Sequence, residues 1–436
     1  MTPEMTMKCQ PYTPPRKTRN RWHEHAAIRA VALALMTLSA ADATEREVAV
    51  DVRTVEPRVV SGRLLSFSLH DGATVQTGAE KQIVKIPCAD IIRMATRATM
   101  SQNTAADEAG LRDRTTQGGD QWAITFTWGD VLWGRVIGAR GESLVLETAD
   151  LGEIPVPIDA MGRITSARAA SGVHRESLHW LNRGRNMGDD RVLLTNGDVL
   201  RGFISAMDSD GIAIDTGTGP TTAPFRFVVA ARLAHALPPA TPRPYLLLTL
   251  RDSGKLTATA LDWSEAGVEA RLRGGATVQV DADRIVAVDV IGGRWEWLSD
   301  HRPVSFEQAP MLGPGWEYVT CGSVSGGPIQ VAGVAYERGI GVHSRSNLVF
   351  ELNGEYREFV TLFGVDDDSG PLADVTVLIL VDGQRRFEKA HVRRGGLFGP
   401  VRLDVARAGR IELIVDYGDN GDMQDRFDWV EPGLIR

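Results

Sequence analysis

The sequence predicts an all-β protein: several small SH3-like or Sm-like antiparallel units, then a β-rich C-terminal third. Three observations carry this. Beyond about residue 47, short apolar runs alternate with Gly and Asp turns. One such run recurs four times with similar internal spacing. Strand-length β-branched runs crowd the last third, and β-branched side chains suit a pleated, half-buried surface.

The recurring run reads Val59-Val60-Ser61-Gly62-Arg63-Leu64-Leu65 in its first copy. The second is Gly129-Asp130-Val131-Leu132-Trp133-Gly134-Arg135-Val136-Ile137, and the third Gly197-Asp198-Val199-Leu200-Arg201-Gly202-Phe203-Ile204. A weaker fourth is Ser253-Gly254-Lys255-Leu256-Thr257-Ala258-Thr259. A further strand follows each copy: Val75-Gln76-Thr77, Leu144-Val145-Leu146, Ile212-Ala213-Ile214 and Val268-Glu269-Ala270. An apolar residue then closes the unit. Gly62 to Ile92 and Gly134 to Ile164 both span 30 positions, Gly202 to Leu233 spans 31, and Ala258 to Ile285 spans 27.

Each copy reads as a small bent sheet. Turns such as Asn196-Gly197-Asp198 supply the positive φ of a tight hairpin, and alternating apolar residues fill one face. The expected units are residues 47–95, 119–167, 189–236 and 243–293. Units this small have marginal cores, so they are expected to pack on one another as a stalk or platform. Polar linkers separate them: Thr96 to Asp120, Ala167 to Asp190 (with His174, His179 and Trp180), and the proline-rich Leu237 to Pro244. Ile291 to Arg302, with Trp295 and Trp297, joins the repeats to the C-terminal third. The copies are too unevenly spaced for a solenoid or propeller.

Composition excludes some partners. The formal net charge is -8, and no long basic stripe follows the N-terminus, so nucleic acid is not an expected partner. The N-terminus itself reads as an export signal over residues 1–43. Lys8, Arg16, Lys17, Arg19 and Arg21 precede an apolar run from Ala30 to Ala41, and Ala41-Asp42-Ala43 offers a cleavage site. The expected location is therefore the periplasm, the cell envelope or the medium. Cys9 would leave with the signal. Cys88 and Cys321 lack CxxC spacing and are expected to be buried, unpaired thiols.

Catalytic motifs are not evident. Gly322-Ser323-Val324-Ser325-Gly326 fits G-x-S-x-G literally. A nucleophile elbow needs a helix after the turn, and here Gly327-Pro328-Ile329-Gln330-Val331 reads as a turn into a strand. There is no HExxH, phosphate loop or dinucleotide fingerprint.

The last third carries a series of short segments in a fixed order. They run from Trp297-Leu298-Ser299-Asp300 through Gly326-Gly327-Pro328-Ile329 to Tyr336-Glu337-Arg338-Gly339-Ile340-Gly341-Val342-His343-Ser344. Leu352-Asn353-Gly354-Glu355-Tyr356-Arg357-Glu358-Phe359, Gly364-Val365-Asp366-Asp367 and Val381-Asp382-Gly383 come next. Val415-Asp416-Tyr417-Gly418-Asp419 and Asp425-Arg426-Phe427-Asp428-Trp429 close the series. In this the segment from Leu298 to Arg436 resembles the NPCBM domain, a carbohydrate-binding module first associated with family 98 glycoside hydrolases. The resemblance implies a galactose-binding-like jelly-roll β-sandwich over residues 295–436 that binds glycan, possible galactose-containing ligands included. The family pattern has a small residue or His where this chain has Arg426.

A sugar site needs an aromatic surface for C–H groups and planar polar side chains for hydroxyls. Trp429 and Tyr336 are the candidates for the first role. His343, Arg338, Asp366, Asp367 and Asp428 are the candidates for the second. Trp429 reads equally as core, and His343 as a satisfied structural histidine. The run Asp366-Asp367-Asp368 suits calcium ligation, a turn cap or solvation. The resemblance permits a structural Ca2+ without locating it, and the sequence requires no other cofactor. The reading is an exported, non-catalytic glycan-binding protein. The alternatives are a cell-envelope scaffold whose repeats and sandwich both bind protein partners, with a degenerate sugar site, and an accessory part of a glycoside hydrolase system.

Overall fold

Each copy of the recurring run is the second strand of a five-stranded antiparallel group. The computed structural model describes residues 48–56, 58–97, 120–167, 188–234, 238–311 and 314–436. The expected signal over 1–43, Cys9, His174, His179, Trp180 and most of the first two linkers lie outside the described residues.

The first group comprises β1 (Ala49–Thr54), β2 (Val59–Ser68), β3 (Gly72–Thr77), β4 (Gln82–Ile86) and β5 (Ile91–Thr96). Strand β1 pairs with both β2 and β5, while β2–β3 and β3–β4 form hairpins. The second group repeats the pattern with β6 (Gln121–Phe126), β7 (Val131–Arg140), β8 (Ser143–Thr148), β9 (Gly152–Pro157) and β10 (Met161–Ser166). The third has β11 (Asp190–Leu194), β12 (Val199–Met207), β13 (Gly211–Asp215), β14 (Pro220–Pro224) and β15 (Val228–Arg232). The fourth has β16 (Tyr245–Leu250), β17 (Gly254–Ser264), β18 (Gly267–Leu272), β19 (Thr277–Val280) and β20 (Ile285–Ile291). This is the SH3-like arrangement that the recurrence predicts.

The motif has a mechanical reason. In all four groups the long second strand shifts register partway along, after Leu64, Val136, Ile204 and Ala258. Such bulges bend a strand so that it serves two sides of a barrel. Gly62 and Gly202 lie just before the bend. A Cβ there would come within 2.2 Å of the Gln76 carbonyl oxygen and 1.9 Å of the Asp215 carbonyl oxygen, respectively. One turn of 3-10 helix then precedes the fifth strand in every group: Cys88–Asp90, Ile158–Ala160, Phe225–Phe227 and Ala282–Arg284. Pro87, Pro157 and Pro224 open three of these turns with φ near -60°, the angle the proline ring imposes.

The groups are not beads on linkers. Strands β5 and β20 pair, as do β10 and β15, and β17 meets both β2 and β7. Buried carboxylates lock these contacts. Asp130 accepts hydrogen bonds from the Thr257 backbone N–H (2.6 Å) and hydroxyl (2.7 Å). Asp150 accepts from the N–H groups of Asp252 and Ser253, both at 2.7 Å. The four groups are thus one hydrogen-bonded assembly, packed on one another because each small core needs its neighbours.

The C-terminal third is a two-sheet sandwich, as the resemblance implies. Its strands are β21 (Trp295–Trp297), β22 (Ser305–Gln308), β23 (Val319–Thr320), β24 (Ile329–Val331), β25 (Val334–Tyr336), β26 (Gly339–His343) and β27 (Ser346–Glu351). They continue with β28 (Glu358–Val365), β29 (Asp374–Val381), β30 (Gln384–Arg393), β31 (Phe398–Asp404), β32 (Arg410–Tyr417) and β33 (Arg426–Ile435). One sheet runs β23-β26-β33-β28-β31, and the other β22-β27-β32-β29-β30. Phe350, Phe359, Phe363, Leu413, Phe427 and Trp429 fill the space between them. Outside the first sheet, the β24–β25 hairpin covers Val430 with Ile329 and Val331.

The sandwich is docked on the first group. Trp295, Trp297 and Ile435 pack with Val55 and Ile92, so Trp295 and Trp297 form a strand in a seam and not a linker. Arg53 meets Glu431 at 2.7 Å, while Arg93 (3.0 Å) and Lys255 (3.3 Å) both meet Glu337. The thiol expectation needs one correction. Cys88 is buried, and burial pushes its pKa up to about 11. Cys321 is exposed, because it lies at a turn with φ 56° beside the short strand β23.

Two predictions follow from this packing. Asp150→Ala strands the buried Ser253 amide and frees the Asp252 amide, and is expected to cost about 1–3 kcal/mol, read as a lower denaturation midpoint; an unchanged midpoint would refute the clamp. Burial alone would raise the pKa of Glu337, yet Arg93 and Lys255 outweigh it and hold it at about 2. Its contribution is present above its ordinary value near 4.5 and fades as pH falls toward 2. Glu337→Gln should flatten the melting-temperature profile across that window, and a profile identical to that of the unchanged chain counts against the seam.

Candidate functional site

The outer face of the first sandwich sheet collects the polar residues that the sequence singled out. Register sets the rows. His343 on β26 stands opposite Arg426 on β33, and the Asp366 N–H donates to the Arg426 carbonyl at 3.0 Å. In the next row Gly341, Asp428 and Gly364 stand side by side. The two glycines let covering segments lie flat on the sheet. A Cβ on Gly341 would reach 2.5 Å from the Gly322 carbonyl oxygen, and one on Gly364 would reach 2.4 Å from Val331 Cγ1. Asp428 is sealed between them.

Asp428 is fully buried, and neither carboxylate oxygen has a hydrogen-bond partner. Burial first, and then the neighbouring Asp366 carboxylate, push its pKa up to about 10. It is therefore a neutral carboxyl at physiological pH, facing Asp366. Asp366 Oδ1 accepts from the Asp368 N–H at 2.7 Å, and its Oδ2 is buried and unpartnered.

The open part of the site is at the end of the sandwich. The Trp316 ring stacks on the His343 ring, with centroids 5.1 Å apart and planes 7° from parallel. Trp316 is 38% exposed and His343 is 7% exposed, so the tryptophan forms the surface and the histidine its backing. Burial lowers the His343 pKa and keeps the ring neutral. Gln308 ties down the backbone beside each ring. Its Oε1 accepts from the Trp316 backbone N–H (3.0 Å), and its Nε2 donates to the Ser344 carbonyl (3.0 Å). His343 Nδ1 lies 2.9 Å from that same carbonyl oxygen. Ser344 Oγ donates to Asp425 at 2.6 Å, and burial pushes the Asp425 pKa up to about 6. Arg426 is half-buried and donates to the Asp368 carbonyl at 2.7 Å.

The predicted residues are thus partly gathered. His343, Asp366 and Asp428 share one face. Asp367 accepts from the Ala332 (3.1 Å) and Gly333 (2.7 Å) N–H groups and caps the β24–β25 turn. Tyr336 packs half-buried beside Ile329, Val331 and Val430. Arg338 turns to the seam, where it pairs with Asp300 and lies 5.8 Å over Trp297. Trp429 must be corrected: it is fully buried against Phe363 and Phe427, because alternation on β33 points it into the core. It offers no open ring face. Trp316 holds that position instead. Its signal in the sequence was an aromatic directly after the turn-forming run Gly313-Pro314-Gly315.

The Asp366-Asp367-Asp368 run does not converge as a calcium cage, since Asp367 is spent on backbone N–H groups and Asp366 on its own turn. Among the described residues, one three-ligand constellation exists: Asp374, His391 and Asp419. The Arg393 guanidinium lies 3.1 Å from Asp374 and 3.6 Å from Asp419, which supplies the positive charge there.

Residues 294–435 match the NPCBM/NEW2 domain. The match leaves the four five-stranded groups unassigned. No curated protein matches the sequence. Among solved structures, the chain is similar to the CBM51 module from Clostridium perfringens GH95 in complex with methyl-galactose. There the identity is 24% and the TM-score 0.29, over 32% of this chain and 99% of that one. It is also similar to the tandem CBM51 modules of the family 98 glycoside hydrolase from Streptococcus pneumoniae SP3-BS71, at 10% identity and TM-score 0.30, over 88% of each chain. A third is the Clostridium perfringens ZmpB structure that joins an M60 catalytic domain to two CBM51 domains. It is 18% identical with TM-score 0.30, and the likeness covers 44% of this chain and 28% of that one.

The buried acid gives the NPCBM sandwich a testable pH dependence. Asp428 has a folded pKa raised from 3.8 to about 10. Its neutral form favours folding below pH 3.8, and that contribution is lost as pH rises toward 10. Asp428→Asn should therefore match the unchanged chain near pH 4 and melt higher at pH 8. An Asn variant that melts lower at both pH values by the same margin contradicts the neutral-carboxyl assignment.

Proposed function

We propose that this is an exported, non-catalytic protein whose NPCBM sandwich binds glycan at the Trp316–His343 end. The observation that carries the reading is an exposed tryptophan face, held rigidly by a neutral histidine and by Gln308. A sugar ring presents one face of C–H groups, which packs on an aromatic surface, and a rim of hydroxyls, which needs planar hydrogen-bonding groups. Arg345, exposed, and Asp422, half-buried, stand around the same end and supply such groups. The domain match supports the same reading. The four groups form the platform that displays the site, and their free edges are where envelope protein partners would bind.

Export rests on the basic and apolar segments before Ala43. Expression in a bacterial host should yield a mature chain starting at Thr44, read by N-terminal sequencing of the fractionated protein. Recovery of the uncut chain from the cytoplasm alone opposes export.

Binding is tested on a glycan array with the whole protein, galactosides included. Trp316→Ala should weaken binding to the retained glycans by about tenfold, the scale of one lost aromatic contact worth ~1.4 kcal/mol. Full affinity in that variant, or no retained glycan for a folded chain, would remove the proposal. Release of reducing sugar from the same panel would replace it with a hydrolase.

A further inference from the structure

The edge of the second sheet carries charge that a neutral-sugar site does not use. Between Gln384 and Gly396 lie Arg385, Arg386, Lys389, Arg393 and Arg394, against Glu388 as the one carboxylate, in a chain whose net charge is -8. Strand β30 is the outermost strand of its sheet. Arg385 is held by Glu388, and Arg393 by Asp374. Arg386, Lys389 and Arg394 have no carboxylate partner among the described residues. Lys389 lies 4.6 Å over the Phe398 ring. Beyond the strand, Arg393 and Arg394 line an open groove of about 620 Å³ with Asp367, Pro371 and the backbone of Gly333 and Gly395.

The groove lies at the same end of the sandwich as Trp316. Strands β26 and β30 both end there, β26 at His343 and β30 at Arg393, and the short Ser344-Arg345 link joins the two sheets. Cations on an edge strand also discourage pairing with other chains. That accounts for Arg386 and Lys389, but not for Arg394, which stands past the strand in the groove. A guanidinium matches a carboxylate or sulfate with two parallel hydrogen bonds, and it offers a neutral hydroxyl far less.

We infer that the ligand is an anionic glycan, bearing uronate or sulfate groups. Its chain lies along β30, and one charged sugar sits in the Arg394 groove. This rests on the glycan reading of the NPCBM domain and adds the substrate class to it.

Affinity electrophoresis of the whole protein tests the inference with polygalacturonate, κ-carrageenan and a neutral galactan. At low salt, at least one anionic polymer should retain the protein about tenfold more strongly than the galactan does, and the excess should vanish at high ionic strength. Which polymer does so separates uronate from sulfate. The triple variant Arg386→Glu, Lys389→Glu, Arg394→Glu should lose the excess and keep any retention by galactan, which Trp316→Ala removes. Equal retention by neutral and anionic polymers, or an excess that survives the triple variant, overturns the charge assignment and leaves glycan binding intact. Equal retention by single-stranded DNA overturns it too, in favour of an unselective polyanion surface. No retention by any polymer sinks this inference together with the glycan reading.

Discussion

The whole C-terminal sandwich depends on one strand, Arg426 to Ile435, being covered on both faces. Phe427 and Trp429 point inward and join Phe359 and Phe363 in the core. Asp428 and Val430 point outward and are covered in turn by the β24–β25 hairpin and its neighbouring turns. A strand buried on two sides loses the usual alternation of apolar and polar residues. Here the outward polar residue is accommodated by staying neutral: the cost of burying a charge is avoided by keeping the proton on Asp428.

That double burial also builds the candidate site. Because the cover seals the middle of the sheet, the polar row can meet solvent only where the cover ends, near His343 and Arg426. Trp316 closes that end from a loop, and Gln308 ties the loop to the strand below. The rigid part of the site is therefore made by β26 and β33, and its exposed surface by a segment with little regular structure.

The repeated groups follow a different constraint. A five-stranded barrel of this size buries too little apolar surface to stand alone with a comfortable margin. The bend in each second strand brings its two halves to different sides, and the spare edges pair between groups. Asp130 and Asp150 then act as buried staples between the second and fourth groups. The seam to the sandwich is of another kind, with a tryptophan pair at its centre and ion pairs around it.

The sequence by itself determined the class of the protein, the four-fold recurrence and the order of the C-terminal segments. These are local properties: turn chemistry, strand length and alternation are written within a few residues of one another. It also singled out His343, through the Gly339-Ile340-Gly341-Val342 run before it, and Asp366 and Asp428, through the resemblance of their segments. It could not say that Trp429 is core and Trp316 is surface. Both are aromatics next to turns, and only the pairing register decides which face of the sheet each one meets. Nor could it show that the groups pair edge to edge, that Arg338 belongs to the seam, or that Arg393 and Arg394 line a groove at the end of a cation-rich edge strand. Those depend on which distant segments are brought together, and that is decided when small cores and unpaired edges find each other in three dimensions.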